Sequence, residues 1–335
     1  MAEALRRRAA PKKQATGAKV RRWQRWIFPV LLVGALIVAV LHFGDLKKFA
    51  ELLSRARPAW LAVALALQVA TYVFLSAQWW LALKYGGSPR PMKELLPLTI
   101  TKLFADQVVP TAGMSGNVLL VDRLCAKKVP RENAVAATIL AIIAYYISYA
   151  VCAVGAVALL WVHGKLSLLL LGLAVLLLAV AAAIPAAALW LSDRGERALP
   201  RWLRERESVR QLVELVGEAP NDLVRDKRLI AQMALLNLGV FLADVATMMA
   251  CLLAVGEQAR FGASFVAFAM ASIVVTLGPV PLGLGSFEAT SVGMLRLMGV
   301  GFEAAFAATL LYRGFALWLP LALGMILTRR ELKPE

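Results

Sequence analysis

The segment GPVPLGLGSFE, residues 278–288, interrupts an apolar block that runs from residue 261 to residue 299. A second apolar block, residues 95–121, is interrupted in the same way by DQVVPTAGMSGN, residues 106–117. Proline and glycine at this density end helices. The two segments therefore predict two broken helices, each of which turns back within its own block.

The remainder of the chain is too apolar for a soluble protein. Its 335 residues are 60% hydrophobic and 17% charged, with a mean hydropathy of +0.70, whereas soluble domains are about 45–50% apolar and about a quarter charged. A membrane span needs about 20 apolar residues. Full or nearly full spans are predicted at residues 26–43, 58–83, 134–162, 166–191, 229–255 and 303–328. We therefore expect an all-α polytopic membrane protein with about six full transmembrane helices and two re-entrant broken-helix hairpins.

The composition also excludes several classes of function. Three cysteines exclude a disulfide scaffold, and two histidines that stand alone at the ends of apolar blocks argue against a His-based metal site. The chain has no G-x-x-x-x-G-K-[ST] loop for ATP, no H-E-x-x-H motif and no G-x-S-x-G motif. We expect no metal, no cofactor and no catalytic residue.

The net charge of +16 indicates membrane topology rather than nucleic-acid binding. If residues 95–121 enter and leave on one side, 28 of the 37 Lys and Arg lie in cytoplasmic segments and six in outside loops. That asymmetry follows the positive-inside rule. It predicts a multi-pass protein of the inner (cytoplasmic) membrane with both termini in the cytoplasm. The nine basic residues of segment 1–25 also suit anionic lipid headgroups.

This topology divides the chain into five parts. They are a basic cytoplasmic arm (1–25), a first membrane half (26–192) with re-entrant segment 95–121, a cytoplasmic amphipathic linker (193–228), a second membrane half (229–328) with re-entrant segment 261–299, and a cytoplasmic tail (329–335).

The two breaks belong to an internal repeat. Residues 110–140 align without a gap with residues 281–311, and 11 of the 31 positions are identical. The first broken segment is predicted to enter from the cytoplasm and the second from outside, so the two copies are inverted. Inverted repeats with broken helices near the midplane are typical of transporters.

The breaks supply the candidate binding residues. Ser115 and Ser286 occupy matching positions and are predicted N-caps of half-helices that begin inside the membrane. Two such N-termini suit an anionic group such as phosphate. Gly113, Gly116, Gly283 and Gly285 allow tight turns, or alternatively only close helix packing. The other polar or break-forming candidates are Asp106, Gln107, Asn117 and Pro281.

Three ionisable residues lie within apolar blocks, where each is costly unless it is paired or hydrated. Arg313 could contact a phosphate headgroup, and Glu288 could be a proton or cation site. Alternatively, a Glu288–Arg313 or an Asp244–Arg313 ion pair holds the fold together. Glu288 falls in the first turn of the second half-helix, where a carboxylate satisfies the helix dipole and would repel an anion.

These motifs resemble the membrane domain shared by lysylphosphatidylglycerol synthase/flippase proteins and related flippase-like families. The resemblance rests on VPTAG (109–113), on GPVPLGLGSFE (278–288) and on the stretch from Gly299 to Arg313, and it extends over about residues 26–328. It implies a lipid flippase or a related lipid-linked function without the soluble synthase domain. Many relatives have a Gly-Gly doublet in the first break, where this chain has Gly113 followed by Met114. Relatives often also have an Arg in the next helix, but the position that matches Arg313 in the repeat is Ile142.

Three functions remain open from the sequence. The first is a transporter that moves an anionic phospholipid or polyprenyl-phosphate-type lipid between leaflets. The second is an intramembrane transferase for a lipid-linked sugar, with Glu288 and Asp106 or Asp244 as its acid–base pair. The third is a non-catalytic membrane partner of a separately encoded lipid-modifying enzyme. The expected partners are anionic membrane lipids and no nucleic acid, and a homo-oligomer is left open.

Overall fold

A computed structural model describes residues 56–108, 114–194, 220–258, 260–278 and 281–331, and these residues form helices and connecting turns without a strand. The helices are α1 (Pro58–Tyr85), α2 (Met92–Val108), α3 (Met114–Ala126), α4 (Arg131–Val162), α5 (Leu168–Arg194), α6 (Asn221–Val224), α7 (Lys227–Ala254), α8 (Phe261–Leu277), α9 (Ser286–Leu297), α10 (Phe302–Arg313) and α11 (Leu319–Glu331). A 3₁₀ turn (Pro281–Gly283) precedes α9, and a π-helical segment (Gly314–Trp318) joins α10 to α11. The predicted arm 1–25, the predicted span 26–43 and most of the linker 193–228 lie outside the described residues.

Within the described residues, four helical stretches are long and apolar enough to cross a membrane: Pro58–Tyr85, Arg131–Val162, Lys227–Ala254 and Phe302–Leu327. A further predicted span coincides with α5, which has 27 residues. Many of the large apolar side chains point outward, with Leu168 88% exposed and Trp161 72% exposed. Such a surface is stable against lipid rather than water. The prediction of an all-helical, multi-pass membrane protein is therefore confirmed for the described part of the chain.

The sequence sets the beginnings of the long helices. Pro58 stands in the first turn of α1, where its missing N–H costs nothing. Asp226 caps α7, because its Oδ1 accepts hydrogen bonds from the backbone N–H groups of Arg228 at 2.8 Å and Leu229 at 3.1 Å. α4 begins directly after Pro130, and α10 begins directly after Gly301.

The repeat extends further than the aligned sequence shows. α1 and α7 both have 28 residues, α2 and α8 both have 17, and α3 and α9 have 13 and 12. α7 begins 169 residues after α1 (227 against 58), and α10 begins 171 residues after α4 (302 against 131). The breaks absorb the difference of two residues. The repeating unit is therefore four helices, α1–α4 and α7–α10.

Corresponding helices of the two units run antiparallel. At one end of the α1–α7 pair, the Arg57 backbone N–H donates to the Ala254 carbonyl at 2.9 Å. At the other end, the Tyr85 hydroxyl donates to Gln232 Oε1 at 3.2 Å. The first residues of α1 thus lie beside the last residues of α7, as an inverted repeat requires.

The first hairpin, α2–α3, opens at the end of the bundle that we name the basic end, which comprises residues 86–91, 127–130 and 220–228. Lys127 Nζ, just after α3, lies 3.3 Å from Glu94 Oε2 in the first turn of α2. Asn133 Nδ2 at the start of α4 donates to the Gly86 carbonyl at 2.6 Å. The hairpin therefore begins and finishes at the same end.

The second hairpin, α8–α9, opens at the opposite end, which comprises residues 163–167, 255–258, 260 and 298–301. There the Lys165 ammonium donates to the Leu297 carbonyl at the end of α9. Residues from the start of α8 and from the turn after α9, including Arg260 and Val300, line one shared cavity. At about 1.5 Å per residue, α3 and α9 measure about 20 Å, which is too short for a hydrocarbon layer of about 30 Å.

Each hairpin packs on a stripe of small residues in the helix that follows it. Ala136 and Ala137 of α4 are fully buried in the cluster that includes Leu95 and Leu120 of the first hairpin. Ala308 of α10 is likewise fully buried, in the cluster that includes Leu295 of α9. Small residues let helices approach closely inside a membrane. Residues 136–138 and 307–309 are both Ala-Ala-Thr and match in the repeat. This packing gives a physical reason for their identity.

Cysteine labelling tests this arrangement. In a variant without the native cysteines, we expect Lys128→Cys and Arg228→Cys to react with a membrane-impermeant maleimide from one side of the membrane, because both lie at the basic end. Arg260→Cys should react only from the other side. Reaction of Lys128→Cys and Arg228→Cys from opposite sides would show that one of the hairpin helices crosses the membrane.

Candidate functional site

The second break is built from residues with unusual backbone angles. Gly278 ends α8, and a 3₁₀ turn follows in which Pro281 is the first residue and Leu282 and Gly283 both have φ of 61°. Gly285 has φ of 81°. A Cβ on Gly283 would lie 2.5 Å from Cγ2 of Val275 in α8, so only glycine fits there.

The N-cap of α9 is Gly285, and the prediction that Ser286 caps this helix is wrong. The positive φ of the cap position suits glycine rather than serine. Ser286 is the first helical residue, and its hydroxyl donates to the Gly283 carbonyl at 3.1 Å. Glu288 supplies the acceptor instead, because its Oε2 takes the Gly285 N–H at 2.7 Å.

Glu288 also binds Arg313, which lies at the end of α10. Arg313 Nε donates to Glu288 Oε1 at 2.7 Å, and Arg313 Nη2 donates to the Leu282 carbonyl at 2.9 Å. The two side chains are only 10% and 19% exposed. Of the two ion pairs that the sequence left open, the Glu288–Arg313 pair is formed. One carboxylate thus connects the N-terminus of α9 with the guanidinium of α10.

Aromatic rings hold Arg313 in place. Its Cζ lies 5.2 Å from the centre of the Phe287 ring, and Phe287 stacks on Tyr312 at 5.5 Å with 14° between the ring planes. Phe268 of α8 meets both rings edge-on. The π-helical segment begins at Gly314, directly after Arg313. Such segments are frequent at functional sites.

The first break has a parallel arrangement with different residues. Asp106 of α2 lies 2.7 Å from Lys102 Nζ through Oδ2, and its Oδ1 accepts the Gly116 N–H at 2.9 Å. A Cβ on Gly116 would lie 2.3 Å from Asp106 Oδ1, so the close approach requires glycine. Asp106 therefore accepts a backbone N–H in the first turn of α3, as Glu288 does at the N-cap of α9.

The other predicted residues of the first break are less informative. Ser115 is wrong as an N-cap, because α3 begins one residue earlier and Asp106 of the neighbouring helix supplies the acceptor. Asn117 lies in the first turn of α3 and is partly buried. Gln107 Oε1 is buried and has no hydrogen-bond partner among the described residues. Gly113 lies outside the described residues.

The two helix N-termini at which the sequence predicts an anion-binding site are therefore already occupied. Each is satisfied by a carboxylate, and each carboxylate is paired with a basic side chain. An incoming phosphate would have to replace Glu288 or Asp106 rather than enter an empty site.

Asp244 lies away from this pair. Gln68 Nε2 of α1 donates to Asp244 Oδ1 at 3.4 Å, and the Tyr312 hydroxyl also hydrogen-bonds to this carboxylate. The alternative Asp244–Arg313 ion pair is not formed. Sequence reasoning missed Gln68, although an amide inside an apolar span was the available signal.

Sequence reasoning also missed a tyrosine cluster beside the second break. The Tyr149 hydroxyl of α4 lies 3.0 Å from Thr276 Oγ1, one residue before the end of α8. Tyr145 packs on Tyr149 with ring centres 5.3 Å apart. The signal was the spacing of tyrosines at positions 145, 146 and 149 in an otherwise apolar helix.

The close approach of Gly283 to Val275 gives a stability prediction. Gly283→Ala should destabilise the protein by about 2–4 kcal/mol, because a left-handed alanine costs about 1–2 kcal/mol and overpacking adds about as much. Val275→Ala in the same background should recover part of the loss. Gly293→Ala is the matched control, since a Cβ there meets nothing within 4 Å. Thermal unfolding in detergent measures all three, and a Gly283→Ala variant as stable as wild type would contradict the geometry.

A comparison with protein families identifies the chain. The family model described as "Lysylphosphatidylglycerol synthase TM region" matches residues 26–324. No curated protein matches the chain. Because the family match covers most of the sequence, the chain belongs to the lysylphosphatidylglycerol synthase transmembrane-region family.

Proposed function

We propose that this protein is a lipid flippase, which moves an anionic phospholipid or a polyprenyl-phosphate-type lipid between the two leaflets of the membrane. Membership of the family supports a membrane lipid-related role. The observation that carries the proposal is the Glu288 carboxylate, held by Arg313 and by the N-terminus of α9 inside a broken hairpin.

The Glu288 carboxylate occupies the place that a lipid phosphate would take. Its two oxygens accept from the Gly285 N–H and from Arg313 Nε, and both donor types also bind phosphate well. When a headgroup enters, it replaces Glu288 on these donors. The bond from Arg313 Nη2 to the Leu282 carbonyl and the Phe287 ring keep the guanidinium oriented during the exchange.

Two hairpins that open at opposite ends provide a route for alternating access. We propose that both are re-entrant, so that their breaks lie inside the membrane and line the lipid-headgroup path. Because the two four-helix units are similar and antiparallel, a state open to one leaflet resembles a state open to the other. Small hinge movements at the glycines of each break would exchange the two states.

The charge distribution supports an orientation. Among residues with described side chains, ten Lys and Arg lie at or beside the basic end: Lys84, Arg90, Lys93, Arg123, Lys127, Lys128, Arg131, Arg225, Lys227 and Arg228. Four lie at the opposite end: Arg57, Lys165, Arg260 and Arg296. By the positive-inside rule we place the basic end in the cytoplasm, with both termini, in a bacterial-type inner membrane.

The engaged carboxylates favour transport over chemistry. The transferase alternative needs a free acid–base pair, yet Glu288 is bound to Arg313 and Asp106 is bound to Lys102. We therefore propose that the chain is not an enzyme. A homo-oligomer and a separately encoded lipid-modifying enzyme remain proposed partners, together with anionic lipids.

Reconstituted vesicles test the proposal. We expect purified protein to move a fluorescent phosphatidylglycerol faster than a fluorescent phosphatidylcholine. Arg313→Ala should slow the anionic lipid at least about tenfold, because a lost charged contact costs about 2 kcal/mol or more. Arg313→Lys should recover only part of the lost transport rate, since lysine lacks the planar guanidinium group of arginine.

Arg296→Ala is the matched control, because Arg296 belongs to the same hairpin and also stacks on an aromatic ring, at 5.6 Å from Phe302. It should transport at the wild-type rate. Equal rates for Arg313→Ala and wild type would contradict the assigned site. Turnover of a lipid-linked sugar by the pure protein, without lipid movement, would establish the transferase instead.

A further inference from the structure

Asp244 lies deep in the membrane and at the contact between the two four-helix units. It is ten residues from the end of α7, about 15 Å along the helix axis, and it faces Gln68, ten residues from the start of α1. α1 and α7 are the corresponding helices of the two units. A change at Asp244 therefore acts directly on the surface that joins them.

The hydrogen-bond partners of Asp244 are neutral. They are Gln68 of α1 and the Tyr312 hydroxyl of α10. Among the described residues, no Lys or Arg nitrogen lies within ion-pair distance of this carboxylate. The guanidinium of Arg313 is bound to Glu288. A charged carboxylate at this depth without a cation is costly, whereas a protonated one is not.

Two buried polar atoms beside Asp244 have no partner in the described part of the chain: Gln68 Oε1 and the Tyr72 hydroxyl. Both side chains are only 4% exposed. Such orphaned atoms are rare in buried sites and need a reason. Tyr72 also lies within electrostatic range of Asp244. An oxygen without a hydrogen-bond donor, Gln68 Oε1, thus lies next to a carboxylate without a counter-ion.

The Gln68 amide can serve both protonation states of Asp244. With its Nε2 toward the carboxylate, it donates to the charged form, as observed at 3.4 Å. A rotation of the amide by half a turn brings Oε1 to the same place, where it can accept the O–H of the protonated form, while Nε2 gives up its 3.0 Å hydrogen bond to Thr71 Oγ1. The orphaned oxygen is then satisfied. Gln68 is therefore suited to a carboxyl that gains and loses a proton.

We propose that Asp244 is a proton-binding site that couples protonation to the packing of α1 against α7. The titratable groups that face it are Tyr72 of α1, Tyr145 of α4 and Tyr312 of α10. The carboxyl group of this cluster belongs to Asp244 itself. The use of this proton to drive lipid movement rests on the function proposed above, but the binding of the proton does not.

Infrared difference spectroscopy on the purified protein in lipid nanodiscs tests the site. Wild type should show the C=O stretching band of a protonated carboxyl that is lost as the pH is raised. The band should be absent from Asp244→Asn and present in the matched control Glu288→Gln, which removes the other carboxyl of this region. A band that persists in Asp244→Asn, or no titrating band in wild type, would overturn the proposal.

A second variant covers the case in which Asp244→Asn does not fold. In Gln68→Leu the band should remain but shift to higher frequency, because the carboxyl loses its amide hydrogen bond. An unshifted band would contradict the role of Gln68. The wild-type titration should be the same in sodium and in potassium buffers. Displacement of the band by sodium alone would identify a sodium ion, not a proton, as the occupant.

Vesicles with an imposed pH gradient separate this proposal from the transport proposal. The ratio of the lipid-transport rates with and without the gradient should exceed one in wild type and fall to about one in Gln68→Leu. A titrating band in a protein that moves no lipid would refute the flippase and leave the proton site standing. Lipid movement by a protein that shows no titrating band would refute the proton site and leave the flippase standing.

Discussion

A helix that begins at a break leaves backbone N–H groups at its N-terminus that need an acceptor, and this constraint governs the structure. The protein meets it twice with a carboxylate rather than with a serine or threonine cap. Asp106 reaches the first turn of α3 from the neighbouring helix, and Glu288 reaches the N-cap of α9 from within that helix. Each carboxylate is only 19% exposed, and each is paired with a basic side chain, Lys102 or Arg313.

These two clusters explain why the breaks contain their particular residues. Gly116 is needed because Asp106 approaches its backbone, and Gly283 is needed because Val275 does the same. The clusters also connect structure with the proposed function. A carboxylate on Arg313 and on a helix N-terminus is chemically replaceable by a phosphate, so under the proposed function one arrangement would serve as a structural cap at rest and as a headgroup site during transport.

Much of this architecture could be predicted from the sequence because the bilayer imposes simple lengths and the breaks are rich in proline and glycine. The spans over α1, α4 and α7 and the positions of both breaks follow from those signals. The caps could not be predicted, since the cap of α3 comes from another helix and the cap of α9 requires a positive φ at Gly285. The sequence alignment did not show that α1 and α2 are repeated as α7 and α8, because the two copies retain the same helix lengths but not the same residues. The contact of Gln68 with Asp244 depends on which helices pack together, which no local pattern reveals.

The opposed hairpins and the shared Asp244 contact both require antiparallel packing of α1 on α7. Electron-spin-resonance distances in a cysteine-free background test it directly, with labels at Arg57 and Val255 in one sample and at Arg57 and Gln232 in another. Antiparallel packing predicts a short distance for the first pair and one longer by about 30 Å for the second, from about 1.5 Å per residue along α7. The reverse order would show parallel units and contradict the inverted architecture.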